Sequence, residues 1–250
     1  MVHSMTAFAR TERAGTHGTL SWELRSVNHR YLEPQLRLPE AFRDLEGSVR
    51  DALRQGLSRG KVESAPPYPL VAVAWPGVLV ADGTDPQAQN AEAMQLFNQA
   101  LDELKNGRGR EGAELAKLLN ERLDAMTAEV ATLRELVPQM LATQRQKILD
   151  RFTEMKAELD PQRLEQELVL LAQKSDVAEE LDRLSTHVSE VHRVLKAGGA
   201  AGRRLDFLMQ ELNREANTLG SKAFDPRSTQ AAVSLKVLIE QMREQVQNIE

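Results

Sequence analysis

The sequence predicts an α+β fold that is predominantly α: a small N-terminal sheet-plus-helix domain at residues 1–83, then a long-helix, coiled-coil-like helical domain at 84–250. Three observations lead there. Aromatic residues make up only 4% of the chain while Leu, Ala, Glu, Gln and Arg recur throughout, the composition of long helices packed through aliphatic side chains. Apolar residues alternate near the N-terminus and later recur every three or four positions. Between the two regimes Pro66, Pro67, Pro69 and Pro76 surround a short apolar run, Leu70 to Ala74, which reads as an irregular link with one strand. With 250 residues the chain buries roughly three-quarters of its extended surface on folding, so a substantial core is attainable.

Each element has its own signal. Ser4-Met5-Thr6-Ala7-Phe8 opens a strand, and Leu20 to Val27 alternates after a turn at Gly15 and Gly18, which predicts a hairpin. After Pro39, the spacing of Phe42, Leu45, Val49, Leu53 and Leu57 predicts one amphipathic helix over 41–57, ending near Gly56 and Gly60 and covering the sheet. Asp85-Pro86 has the form of an N-cap with proline at the first helical position, and Met94, Phe97, Leu101 and Leu104 continue that helix toward a break at 106–109. Leu119, Leu123, Met126, Val130, Leu133, Val137 and Met140 then advance by fours and threes, the seam of a coiled coil. Pro138 should bend or split this arm, because it removes a backbone donor and crowds the preceding turn. Asp160-Pro161 starts a helix that runs to Gly198-Gly199 with Leu164, Leu168, Leu171, Leu181, Leu184, Val188, Val191 and Leu195 inward, packed antiparallel on the arm. A shorter helix spans 203–219, and Asp225-Pro226 precedes a last one with the apolar stripe Leu235, Leu238, Met242, Val246 and Ile249.

Composition also excludes. Without cysteine there are no disulfides, thiolate zinc sites or cysteine nucleophiles, so oxygen or imidazole would have to hold any metal. The N-terminus lacks a signal pattern and no apolar stretch is long enough to span a bilayer, which places the protein in the cytoplasm with no membrane partner. A net charge of -5 opposes bulk electrostatic binding of nucleic acid, so any RNA site is locally basic. No phosphate loop, Gly-x-Ser-x-Gly or His-Glu-x-x-His string occurs, which argues against ATP-driven chemistry.

Asp176, Glu179, Glu180, Arg183 and His187 advance by three or four and stack on one helix face, with Asp182 off the stripe. Such a face is either a carboxylate cluster for Mg²⁺ or Mn²⁺ with His187 as proton carrier, or a solvated face whose Glu–Arg pairs contribute about 0.2–0.5 kcal/mol each. On the next helix Arg204, Glu211, Glu215 and Thr218 share one side, Arg203, Gln210, Arg214 and Asn217 an adjacent one, and Leu205, Leu208, Leu212 and Leu219 point to the core. An arginine fork there can grip a phosphate while a carboxylate holds metal; the alternative is an internal Arg–Glu network. Near the N-terminus Arg25, Asn28, His29, Arg30, Tyr31, Arg37, Arg59 and Lys61 form a basic patch in which Tyr31 can stack on a base, or else ordinary sheet-edge charge. Lys236, Glu240, Arg243, Gln247 and Glu250 line the polar side of the last helix, a solvated face or a subunit contact, while His3, His17 and His192 follow no partner pattern.

Several ordered strings resemble the YicC endoribonuclease family: Ser4-Met5-Thr6-Ala7-Phe8, Arg25 to Glu33, Arg59-Gly60-Lys61-Val62-Glu63, Trp75-Pro76-Gly77, Arg163 to Glu167, Asp176 to Leu184 with His187, Gly202 to Phe207, Gln210-Glu211, Arg214 to Leu219 and Glu240 to Gln245. The resemblance covers almost the whole chain. It implies an endoribonuclease dependent on a divalent cation, Mn²⁺ or Mg²⁺, that cleaves single-stranded or structured RNA, assembles as a ring-like homo-oligomer (a hexamer), and takes part in small-RNA and mRNA turnover; RNA-decay proteins are further partners on an adaptor reading. On this reading His187, Glu179, Glu180, Glu211 and Arg204 are catalytic, and Asp176, Glu180, Glu211 and Glu215 hold the metal. Arg25, Asn28, Arg30, Tyr31, Arg59, Lys61, Arg203, Arg214 and Lys222 contact RNA. The chain departs from the family between Glu63 and Trp75, where a strand–helix unit is missing, which would leave a sheet edge open. The competing expectation is a non-catalytic oligomeric RNA-binding or adaptor protein built on the heptad arm.

Overall fold

A computed structural model describes residues 2–15, 18–65, 86–154 and 161–250. The strand expected at 70–74, Trp75-Pro76-Gly77, His17 and the caps Asp85 and Asp160 lie outside the described residues. The chain forms two compact units, Met1–Leu115 with Asn248–Glu250, and Ala116–Gln247. The division falls within a helix, whereas the sequence reading placed a boundary after residue 83.

In the first unit β1 (Ala7–Gly15) and β2 (Gly18–Val27) form the expected antiparallel hairpin. With β3 (Leu32–Leu36) and β4 (Gly60–Ala65) they make a sheet of order β1-β2-β4-β3, antiparallel except for the β3–β4 pair. Strand alternation turns Ala9, Thr11, Leu24 and Val62 inward and Phe8, Arg10 and Arg25 outward. The helix expected over 41–57 is divided: a 3₁₀ turn, Glu40–Leu45, precedes α1, Glu46–Gly56. Pro39 is extended and its carbonyl accepts from Phe42 N at 2.9 Å, which closes the tighter i→i+3 ring instead of an α turn. Leu45, Val49, Leu53 and Leu57 bury their stripe in a core shared with Trp22, Leu24, Val62, Leu96, Phe97 and Leu104. Trp22 meets Phe97 edge-on at 5.0 Å and donates its indole N–H to Ala93 O at 2.9 Å, so the ring is both packed and satisfied.

Helix α2 runs from Pro86 to Glu154 without the breaks expected at 106–109 and Pro138. Local propensity loses to packing at both places. Arg108 is buried, donating from Nε to Ser4 O at 2.6 Å and from Nη2 to Glu250 Oε2 at 2.6 Å, and Gly112 lies so close to the segment before β1 that an added Cβ would meet Val2 O at 2.3 Å. Around Pro138, which stays on the exposed side, Val130, Leu133 and Met140 are buried, and their burial offsets the roughly 3 kcal/mol that proline costs inside a helix.

The second unit contains α2 from Ala116 onward, α3 (Pro161–Lys174), α4 (Ala178–Ala197), α5 (Gly202–Ser221) and α6 (Pro226–Val246). The helix expected from Pro161 to Ala197 is therefore two. It stops at Ser175–Val177, where the Asp176 side chain accepts from Ala178 N at 3.0 Å, the local bond by which aspartate competes with a continuing helix. Arg134 pairs with Asp182 at 2.8 Å and Asn120 with His192 at 2.7 Å, so α4 lies antiparallel to α2, over the buried seam Leu119, Leu123, Met126, Val130 and Leu133. Helix α5 packs against both α4 and α6. Asp225 caps α6 in a capping box with Ser228. The buried stripe of α6 is Leu235, Ile239, Met242 and Val246, so Ile239 takes the place expected of Leu238. Among the described residues no helix is long and apolar enough to cross a membrane.

Candidate functional site on helices α4 and α5

Antiparallel packing of α4 and α5 turns the two predicted polar stripes toward one another as a ladder of charges. At one end Lys222 Nζ donates to Glu180 Oε1 at 2.8 Å and to Asp176 O at 2.9 Å. Glu180 is only 5% exposed, and its other oxygen, Oε2, has no hydrogen-bond partner among the described residues. Next, Arg183 bridges Glu179 of its own helix and the buried Glu215 of α5, the latter at 3.4 Å. The Glu179 carboxylate, then Glu215, hold the Arg183 guanidinium above its ordinary pKa. At the far end Glu190 takes two hydrogen bonds from Arg193 at 2.7 Å and another from Arg204. Those two guanidiniums, Arg193 first, pull the Glu190 carboxyl down to about 2.

His187 and Glu211 occupy the level between these pairs. His187 follows Arg183 by four residues on α4 and Glu211 precedes Glu215 by four on α5, so the Arg183–Glu215 bridge places both one turn farther along facing stripes. Both are half-buried, and neither makes a hydrogen bond or ion pair among the described residues. An imidazole and a carboxylate with free polar atoms at one level can exchange protons with a bound ligand, whereas the carboxylates on either side already have cations of their own.

The expected metal ligands do not converge in the same way. Asp176 caps the turn before α4, Glu180 faces Lys222, and Glu215 faces Arg183. Among the described residues no three His, Asp or Glu side chains form a group able to hold a metal ion. Of the expected ligands Glu211 alone, with His187 at its level, has no internal partner among the described residues, and a third donor from the ladder would have to be drawn from Lys222 or Arg183, so the ladder as it stands does not fit a three-ligand metal site.

Of the remaining expected residues, Arg203 and Arg214 are exposed on α5 and have no carboxylate partner among the described residues. Arg204 is neutralised by Glu190, and Lys222 is engaged as above. In the N-terminal unit Arg25 is exposed and unpaired among the described residues, Arg30 lies over the Tyr31 ring at 5.3 Å, and Arg59 donates to Arg30 O at 3.2 Å. Asn28 is exposed beside them, whereas Lys61 pairs with Glu63 at 3.1 Å. Sequence reasoning missed Glu190, although its place three residues past His187 was readable, and two exposed aromatics: Phe8, cross-strand from Arg25, and Phe207 on α5. The signal for Phe207 was its spacing, four after Arg203 and seven before Arg214.

Comparison with known proteins gives a consistent picture. The family described as "Endoribonuclease YicC-like, N-terminal region" matches residues 2–66, and "Endoribonuclease YicC-like, C-terminal" matches residues 133–250, which include the whole ladder. A Haemophilus influenzae protein named "Probable endoribonuclease YicC" is 44% identical over 287 aligned positions, with all of both chains covered. A Clostridioides difficile protein of the same name is 27% identical over 293 positions, again with all of both chains covered. Both alignments are longer than the 250 residues here, so each relative has segments that this chain lacks.

Proposed function

This chain belongs to the YicC-like endoribonuclease family, and from that premise we propose that it cleaves RNA internally with His187 and Glu211 as the proton-transfer pair. The observation that carries the assignment is their shared level on the α4–α5 ladder, free of internal partners and bordered by guanidiniums. One of the two takes the proton from the attacking oxygen as the new O–P bond forms, and the other delivers a proton to the 5′-oxygen as the P–O bond breaks. Arg203 and Arg214 bind the flanking phosphates, and in the N-terminal unit the exposed Arg25, Arg30 and Tyr31 with the half-buried Arg59 form a separate RNA-contacting surface. Glu179, Glu180, Glu215, Arg204 and Lys222 set the position of α4 against α5 through their pairs, so they are positioning residues.

The substrate is cellular RNA in the cytoplasm, and its cleavage serves small-RNA and mRNA turnover. Homo-oligomer assembly, with a hexamer as one form, is supported by the exposed Val233 and Val237, one turn apart on α6. The test uses a labelled structured RNA and purified protein in Mn²⁺, in Mg²⁺ and in chelator. His187→Asn and Glu211→Gln should each slow cleavage by about 100-fold or more while RNA binding persists. Wild-type rates in both variants would sink the pair. Activity that survives chelator would agree with the ligand-poor ladder, and strict metal dependence would require a donor set beyond it.

A further inference from the structure

Helix α5 has four exposed positions on one outward stripe, Arg203, Phe207, Gln210 and Arg214, in which the aromatic ring lies between two arginines. Phe207 is 58% exposed although α5 buries Leu205, Leu208, Met209 and Leu212 against its neighbours, so the ring is turned away from the core. It stands one turn before Glu211, at the edge of the level shared by Glu211 and His187. The guanidiniums of Arg203 and Arg214 flank it along the stripe without carboxylate partners among the described residues. An apolar contact with another protein would gain nothing from uncompensated cations on both sides, whereas a nucleotide presents a π-face between two phosphates and matches all three groups.

We propose that Phe207 is a base-stacking platform beside the scissile linkage, so that the enzyme acts where a nucleotide is unstacked from its neighbours: in single strands, loops and bulges. A base in a continuous duplex has both faces covered and cannot offer one to the ring. The inference rests on the endoribonuclease reading, and it adds to it a residue that contacts the substrate base.

The experiment uses the full chain and a labelled single-stranded oligoribonucleotide with one mapped cut, the same oligonucleotide with an abasic nucleotide beside the cut, and the same strand annealed to its complement. Phe207→Ala and Phe207→Leu should both lower kcat/KM on the intact single strand by roughly 5- to 150-fold, the range that one base–aromatic stack supplies, and Phe207→Trp should retain it. Leucine keeps the apolar bulk, so its failure isolates the ring. Wild type should cut the abasic strand slowly and Phe207→Ala no slower, because the two changes remove the same contact. The annealed strand should resist wild type. Wild-type rates for the alanine and leucine variants, or an abasic penalty of equal size in wild type and Phe207→Ala, would overturn the proposal. So would an altered sedimentation coefficient in Phe207→Ala with unchanged RNA affinity, which would make the ring a contact between copies. If wild type cuts nothing, the nuclease reading falls separately and fluorescence anisotropy on the intact strand decides the stacking: weaker binding by both Phe207→Ala and Phe207→Leu keeps it, equal binding ends it.

Discussion

Arg108 shows how one side chain can override the local preference of its segment. It sits between two glycines in a stretch that reads as a helix break, yet it is 1% exposed and serves the Ser4 and Arg59 carbonyls and the Glu250 carboxylate. Burial pulls its guanidinium below the ordinary arginine pKa, and the Glu250 carboxylate pushes it back up. Arg108→Met would leave the Glu250 carboxylate with Ser58 Oγ but without its cation, and would take the guanidinium donor from two carbonyls, so denaturant unfolding should show a loss of about 3–5 kcal/mol. A loss under 1 kcal/mol would mean that the contacts around Ser4 and Ile249 hold without it. Glu180 presents the same physics in the second unit, with one oxygen on Lys222 and the other unpartnered. Lys222→Met should destabilise by several kcal/mol, and adding Glu180→Gln should recover part of that, since the double variant no longer buries an unpaired charge. Additive effects in that cycle would rule out a coupled pair. Glu190 supplies a pH test with a definite sign. Its carboxyl is lowered to about 2 from an ordinary 4.5, so its contribution to stability is full above 4.5 and is lost as pH falls toward 2. Unfolding followed across that window should be shallower in Glu190→Gln.

At the scale of elements, what could be read from the sequence depended on whether one periodicity governed the segment. The hairpin was legible because alternation and glycines agreed, and α6 because Asp225-Pro226 marks its start by both capping and fixed φ. The break after α3 was not, because apolar residues continue past it in helical phase and the turn depends on one Asp176 side-chain bond that spacing does not encode. The candidate site was half legible. Helical spacing put Glu179, Arg183 and His187 on one face and Glu211 and Glu215 on another, but which charges cancel across two helices depends on their relative register. That is why acids expected to share a cation are found paired with Arg and Lys. Pro138 gives the clearest test at this scale. It lies inside a continuous helix on the exposed side, so Pro138→Ala regains a backbone donor and relieves crowding, minus the unfolded-state entropy that proline suppresses. Thermal unfolding should show a gain of about 1–2 kcal/mol; a loss would mean that the proline's own packing holds the arm.

For the molecule as a whole the constraint is charge. An acidic chain of net -5 binds RNA only through cations that its own carboxylates have left free, and the ion pairs divide its arginines into two classes. Arg183, Arg193 and Arg204 are neutralised within the α4–α5 ladder, whereas Arg25, Arg203 and Arg214 have no carboxylate partner among the described residues. Each cation placed on a single-stranded phosphate releases counterions, so the slope of log affinity against log salt changes by about 0.7 per contact. Removing the side chains of Arg203 and Arg214 together should therefore make the slope shallower by about 1.4, and weaken binding most at low salt. The same argument runs in reverse through Glu190. Glu190→Gln releases Arg204 from its carboxylate beside the proposed site, and should steepen the slope by about 0.7 while tightening RNA at low salt. A steeper slope would show that intramolecular pairing regulates how many guanidiniums reach the substrate. An unchanged slope, in a variant that still folds, would show that Arg204 stays with the helices and that phosphate recognition on α5 belongs to Arg203 and Arg214.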